Sequence, residues 1–131
     1  MIKTIAVLGA GTMGHGIAEV FAMNNFQVNL YEISDERRNL VKEIIKKELK
    51  FLEENEYINK EKIKDTLNNI ILYSDLKIAV ENADFIIEVT PEKLELKQEL
   101  FKNLSKLTKK EAILASNTSS LSLMEMIKFV P

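Results

Sequence analysis

Residues 4–32 constrain the fold more than any other stretch of the chain. An apolar run, Ile5-Ala6-Val7-Leu8, leads into Gly9-Ala10-Gly11-Thr12-Met13-Gly14. A helical pattern continues through Asn25, and a second apolar run, Val28-Asn29-Leu30-Tyr31, ends on Glu32. Strand, glycine turn, helix, strand, carboxylate is the order that a dinucleotide-binding βαβ unit requires. Gly9 then allows the tight turn, Gly11 lets the backbone approach a pyrophosphate, and Gly14 lets the helix lie close on the sheet. The helix N-terminus offers unpaired N–H groups and a positive dipole end to the phosphates. Glu32, 18 residues past Gly14, can accept both ribose hydroxyls and repels a 2′-phosphate, which favours NAD over NADP. From this segment alone a second reading stays open: a glycine-turned βα unit packed for stability, with Glu32 a solvated strand end.

At 131 residues, 46% hydrophobic and 29% charged, the chain reads as one soluble globular domain. Net charge is −2, with lysines and glutamates interspersed, so no basic face argues for nucleic acid. No apolar run approaches membrane-spanning length. Met1-Ile2-Lys3 passes straight into a strand, leaving no room for a signal peptide. The absence of cysteine excludes disulfides, thiolate metal sites and cysteine nucleophiles, and the cytoplasm is the expected setting. One histidine excludes a histidine-rich metal site.

Further along, helical spacing predicts a first helix over Met13 to Met23 with Ile17, Val20 and Phe21 on one face, ended by Asn24-Asn25. Ser34 or Asp35 caps a long helix to about Glu54, with Val41, Ile45, Leu49 and Leu52 as its stripe and Leu40 and Ile44 widening it. Asn55 to Lys64 is a polar excursion with Asn59 as a cap for a short helix carrying Ile63 and Leu67. It reads either as a substrate-facing arm or as a solvated helical hairpin. Ile70 to Tyr73 is a third strand, Asp75 to Glu81 a short helix, and Phe85 to Val89 a fourth strand. Thr90-Pro91 reads as N-cap and first residue of a helix keeping Leu94, Phe101, Leu104 and Leu107 inward. Ala112 to Ala115 is a fifth strand, Ser116 to Ser120 a polar loop, and Ser122 with Glu125 a capping box for a last helix carrying Leu123, Met126 and Ile127.

Alternating strands and helices imply an α/β fold, a Rossmann-type doubly wound parallel sheet with helices on both faces and strands one and four side by side. Glu32, Glu88, Glu92 and Asn117 to Ser119 then gather with the glycine loop at the C-terminal strand edge, where open α/β sheets bind ligands.

Three segments carry a more specific likeness. Gly9-Ala10-Gly11-Thr12-Met13-Gly14-His15-Gly16-Ile17-Ala18 resembles the opening of the 3-hydroxyacyl-CoA dehydrogenases, including the bacterial 3-hydroxybutyryl-CoA dehydrogenases. Ala83-Asp84-Phe85-Ile86-Ile87-Glu88, with Glu92 and Leu96-Lys97, resembles the family's second signature, and Leu114-Ala115-Ser116-Asn117-Thr118-Ser119-Ser120-Leu121 its third. The resemblance spans essentially the whole chain.

It implies an NAD-binding domain of an oxidoreductase of fatty acid metabolism that interconverts 3-hydroxyacyl-CoA and 3-oxoacyl-CoA. Gly9, Ala10, Gly11, Thr12, Met13 and Gly14 would hold the pyrophosphate, and Glu32 the adenosine ribose, where the family usually has aspartate. Glu92 and Lys97 match contacts on the ribose and nicotinamide side. Ser119 matches a serine between nicotinamide and substrate whose hydroxyl bonds the reacting oxygen, and Asn117 a site-shaping asparagine of the same loop. The family's acyl-CoA contacts on the long second helix do not transfer, because Glu48 and Asn55 stand where serine and lysine are expected. The family's Gly-x-His-Phe-Phe-Asn-Pro stretch, whose histidine is the general base, follows about where this sequence stops at Pro131. The expectation is therefore a domain over residues 1–131, cut before the base and before the helical domain that completes the substrate site and the parent's homodimer, and inactive alone.

Plainer roles stand beside these. Ser119 or Ser120 could be turn and capping hydroxyls, Glu88 and Glu92 helix-start charges, Lys97 a solvated lysine, and His15 a surface or loop-packing residue. A non-catalytic NAD(H)-binding regulatory module and a sister dehydrogenase of sugar acids are the alternative functions.

Overall fold

The computed structural model describes residues Met1–Pro131. Eleven elements alternate along the chain: β1 Thr4–Leu8, α1 Thr12–Met23, β2 Gln27–Tyr31, α2 Asp35–Glu54, α3 Lys60–Asn68, β3 Ile70–Tyr73, α4 Leu76–Val80, β4 Phe85–Glu88, α5 Leu94–Leu107, β5 Ile113–Ser116 and α6 Leu123–Met126. The five strands form one sheet in the order β3-β2-β1-β4-β5, and every pairing is parallel. This is the expected doubly wound sheet, with β1 beside β4.

The sheet separates two apolar layers, and β1 feeds both by simple alternation. Ile5 and Val7 face the layer built with α1, α2 and α3, whereas Ala6 and Leu8 face the one built with α4, α5 and α6. Leu8 pairs with Tyr31 on one side and with Glu88 on the other, and Glu88 pairs with Ser116. The ends of β2, β1, β4 and β5 are therefore level, and their loops open onto one rim. No helix is long and apolar enough to cross a membrane.

Several local expectations are corrected. On α1 the buried positions are Ala18 and Ala22 with Gly14, His15 and Glu19, while Val20 is exposed. Close approach to the sheet needs small side chains, which turns the bulkier ones to the flank. Leu40 is exposed because it sits one residue off the Val41-Ile45-Leu49 stripe. Leu123 is exposed too, since the one-turn α6 sends only Met126 into the core. The excursion after β2 is a helical hairpin. α3, capped by Asn59, packs Ile63 and Leu67 onto the α1–α2 layer. Asn25 does adopt a positive φ of 69° after α1.

The largest correction concerns Thr90-Pro91. α5 starts only at Leu94, because the Thr90 hydroxyl and N–H both donate to Glu88 Oε2, at 2.6 and 3.0 Å. A hydroxyl held by a neighbouring carboxylate does not cap a helix. β5 also runs one residue later than the apolar pattern suggests, to Ser116.

Candidate functional site

The glycine turn shows two kinds of glycine. Gly9 has φ +112°, and a Cβ on Gly14 would lie 1.8 Å from the Gly9 carbonyl oxygen, so these two are demanded by the chain's own geometry. Gly11 is different. Its φ is −74°, open to any residue, and a Cβ there would meet nothing within 4 Å. Glycine suits this position as the N-cap of α1, and with no side chain it also leaves the backbone bare toward the open side, as an approaching ligand requires. The opening turn of α1 adds N–H groups without intrahelical partners.

Beside this turn, Glu32 is 5% exposed, which overturns the solvated strand end. Its Oε1 accepts from the Ala10 N–H at 3.2 Å and its Oε2 from the Ser34 N–H at 3.0 Å. The carboxylate thus joins the end of β2 to the glycine turn. A cavity of about 390 Å³ opens here, between Gly9–Gly11, Glu32 and Ile33 on one side and Val89–Pro91 on the other. Arg37 and the exposed Ile33 also border it. Neither was anticipated, although an exposed apolar residue directly after a strand-end carboxylate is a signal readable from the sequence.

On the other side of β1, Glu88 and Lys97 are fully buried. The ammonium donates to Glu88 Oε1 and Oε2 at 2.7 and 2.9 Å and to the Thr90 carbonyl at 3.3 Å, and it lies 2.9 Å from Glu92 Oε1. Ser116 donates a further short hydrogen bond to Glu88 Oε1. Burial opposes ionisation of Glu88, but the hydrogen bonds from Lys97, Ser116 and Thr90 outweigh it and hold its carboxyl below the usual value. Burial likewise pulls Lys97 down, yet its hydrogen bonds to Glu88 and Glu92 and their charges leave its pKa raised. Lys97 is therefore no solvated lysine, and Glu88 ends a strand rather than starting a helix.

Glu92 carries the network out to solvent. Its Oε2 accepts from Thr118 Oγ1 at 2.6 Å and from Ser120 Oγ at 2.8 Å. These bonds, with the one from Lys97, hold its carboxyl down to about 2, Thr118 contributing most. Thr118 also accepts from the Leu121 N–H, and Ser116 from the Thr118 N–H. The turn hydroxyls of this loop are thus Ser116, Thr118 and Ser120. Ser119 sits exposed between two pinned neighbours, and Asn117 is exposed beside them. The loop after β5 and the loop after β4 are fastened together, with the Ser119 hydroxyl left free.

His15 is elsewhere. It is 9% exposed, gives its Nδ1–H to the Gly11 carbonyl at 2.9 Å and sets Nε2 2.9 Å from Glu48 Oε1. It lies between α1 and α2, away from the loop that carries Ser119, and is not a surface histidine.

Comparison with known proteins follows the same lines. The family described as 3-hydroxyacyl-CoA dehydrogenase, NAD binding domain, matches residues 4–131. A probable 3-hydroxybutyryl-CoA dehydrogenase of Bacillus subtilis is 38% identical over 125 residues, covering 95% of this chain and 43% of its own. A 3-hydroxyadipyl-CoA dehydrogenase of Escherichia coli is 38% identical over 122 residues, covering 93% of this chain and 26% of its own. The crystal structure of 3-hydroxybutyryl-CoA dehydrogenase from Escherichia coli superimposes with a TM-score of 0.96 at 34% identity, covering 100% of this chain and 28% of that one. The chain thus spans less than half the length of these relatives.

Proposed function

Because the chain belongs to the family of NAD-binding domains of 3-hydroxyacyl-CoA dehydrogenases, we propose that it forms the cofactor half of an enzyme interconverting 3-hydroxyacyl-CoA and 3-oxoacyl-CoA. The observation that carries this reading is the bare Gly11 backbone, opposite Val89–Pro91 and beside the Glu32 carboxylate. NAD, when bound, supplies the hydride acceptor. The turn from Gly9 to Gly14, with Ala10, Thr12 and Met13, holds its pyrophosphate. Glu32 spends one lone pair of each oxygen on Ala10 and Ser34, and the remaining ones take the ribose hydroxyls.

Glu92, Asn117 and Ser119 bound the nicotinamide end, with Ser119 donating to the reacting oxygen of the acyl substrate. Lys97, its ammonium already saturated by Glu88, Glu92 and Thr90, acts by positioning Glu92. The general base that takes the hydroxyl proton comes from outside residues 1–131, since the single histidine is committed to Gly11 and Glu48. The chain by itself then binds NAD and turns over little or nothing. The contacts of a homodimer fall outside these residues too, and the setting is cytoplasmic.

Calorimetric titration tests the assignment. Gly11→Ala adds a methyl group that touches no protein atom, so the melting temperature falls by no more than about 5 °C, the cost of a poorer helix N-cap, while NAD affinity falls at least ~10-fold. Equal affinity in the two proteins removes the turn from the site. Glu32→Ala is expected to weaken NAD more than NADP and so to erode the preference between them, whereas an unchanged ratio takes Glu32 out of ribose recognition. Oxidation of NADH with acetoacetyl-CoA by residues 1–131 alone, above background, contradicts the missing base. A whole protein that binds NAD yet never turns over supports a regulatory module instead.

A further inference from the structure

α1 and α2 bring together three side chains for which the nucleotide reading has no use. His15 and Glu19 stand one helical turn apart on α1, and Glu48 meets them from α2. One ligating atom from each lies within 4.8 Å of the other two. His15 is 9% and Glu19 5% exposed, while the Glu48 side chain is 45% exposed. The cluster is therefore closed toward the protein and open to water on one side.

Its charges do not balance. With Nδ1–H given to the Gly11 carbonyl, the His15 nitrogen facing Glu48 is Nε2, which lies 2.9 Å from a carboxylate oxygen and in the neutral imidazole offers a lone pair. Neither Glu19 nor Glu48 is paired with a lysine or arginine. No backbone or side-chain N–H or hydroxyl donates to Glu19, although its side chain is buried and aimed into the cluster. Three acceptors converging in a half-dry pocket need a positive charge among them, either a proton or a metal ion.

We infer that His15 Nε2, Glu19 and Glu48 form a binding site for a divalent first-row metal ion, with Zn²⁺ as the fitting chemistry and water completing its coordination. One imidazole and two carboxylates are a borderline-soft donor set suited to zinc, and bond lengths of about 2.0–2.2 Å are within reach of atoms this close. Three protein ligands with one open side match zinc sites that keep a water position. The bond from Nδ1 to a backbone carbonyl is the outer support that orients a ligating histidine.

The competing occupant is a proton. Burial and the neighbouring Glu48 push Glu19 up to about 9, and the hydrogen bond from Glu19 is the first of the causes that hold Glu48 down. A proton held between Glu19 and Glu48 and a metal ion would compete for the same place.

The test is calorimetric titration of tag-free, chelator-treated protein with Zn²⁺ at pH 7.5. One Zn²⁺ per chain with micromolar or tighter affinity is expected. Co²⁺ in place of Zn²⁺ should give visible d–d absorption that EDTA abolishes. Glu19→Gln keeps the shape of the neutral acid and so preserves the fold, checked by its melting curve, yet should weaken Zn²⁺ binding by about 100-fold. His15→Ala should do the same. Absence of saturable uptake overturns the proposal, as does uptake that survives Glu19→Gln.

Discussion

Lys97→Met should lower the stability of the fold by about 3–5 kcal/mol, a fall of about 10 °C or more in melting temperature for a chain of this size. Methionine fills much the same space, so little packing is lost. What the substitution removes is the ammonium that lies 2.7 Å from a carboxylate exposed to no solvent. Glu88 would be left with only the Thr90 and Ser116 donors. Leaving one member of a buried pair is far costlier than removing both. The double variant Glu88→Gln with Lys97→Met should therefore recover most of the loss, to within about 1–2 kcal/mol of the parent. A single variant as stable as the parent would show that the pair contributes nothing to the fold.

The pH dependence of this effect has a definite sign. The folded-state pKa of Glu88 is lowered, so its contribution is present above the ordinary carboxylate range and is lost as pH falls through the folded value. That of Lys97 is raised, so its contribution is present below the ordinary lysine value and is lost as pH rises through the folded one. Between roughly pH 5 and 10 both are in place. The deficit of Lys97→Met should be largest in that window and shrink in acid, where a lone buried Glu88 takes up a proton. Denaturant melts at pH 4 and pH 7 measure the difference.

Gly14→Ala should be the other severe change, and for a steric reason. Its Cβ would stand 1.8 Å from the Gly9 carbonyl oxygen and 2.9 Å from the Gly9 carbonyl carbon. Both are backbone atoms, so no side chain can swing aside. Either α1 lifts from the sheet or the turn after β1 opens. Lifting α1 also separates Ala18 and Ala22 from Ile5 and Val28, with which they share a core. A loss of about 3 kcal/mol is expected, at the upper end of overpacking costs, together with NAD affinity too weak to measure calorimetrically. Gly11→Ala is the natural companion, since one glycine serves the fold and the other the ligand. If both variants melt like the parent, the close approach of helix and turn is not a constraint.

The strands and their order were readable because two apolar patterns and the short-connection rules leave few topologies for five parallel strands. The glycine turn and Glu32 were readable because their geometry is local. What escaped depended on partners distant in the chain. Lys97 cannot be told from a solvated lysine until β4 sets Glu88, nine residues earlier, against it. His15 could not be placed until α2 delivered Glu48 from 33 residues away. The Thr90-Pro91 helix start failed because a cap propensity of about 1 kcal/mol met a buried carboxylate in need of donors. On α1, apolar spacing pointed to Val20, but the sheet selected by size and took the alanines.

The alternation of β4 ties the two halves of the crevice to a single count of residues. Ile86 faces the same apolar layer as Leu8, and Phe85 and Ile87 face the other. Glu88 follows in step with Ile86 and so meets Lys97, while Val89 turns the opposite way and meets Gly9 and Gly14. Adding or deleting one residue within this strand would exchange the two, burying an acid against the glycines and presenting valine to an ammonium. Loops around the rim can change length one at a time, but the four residues before the crevice cannot.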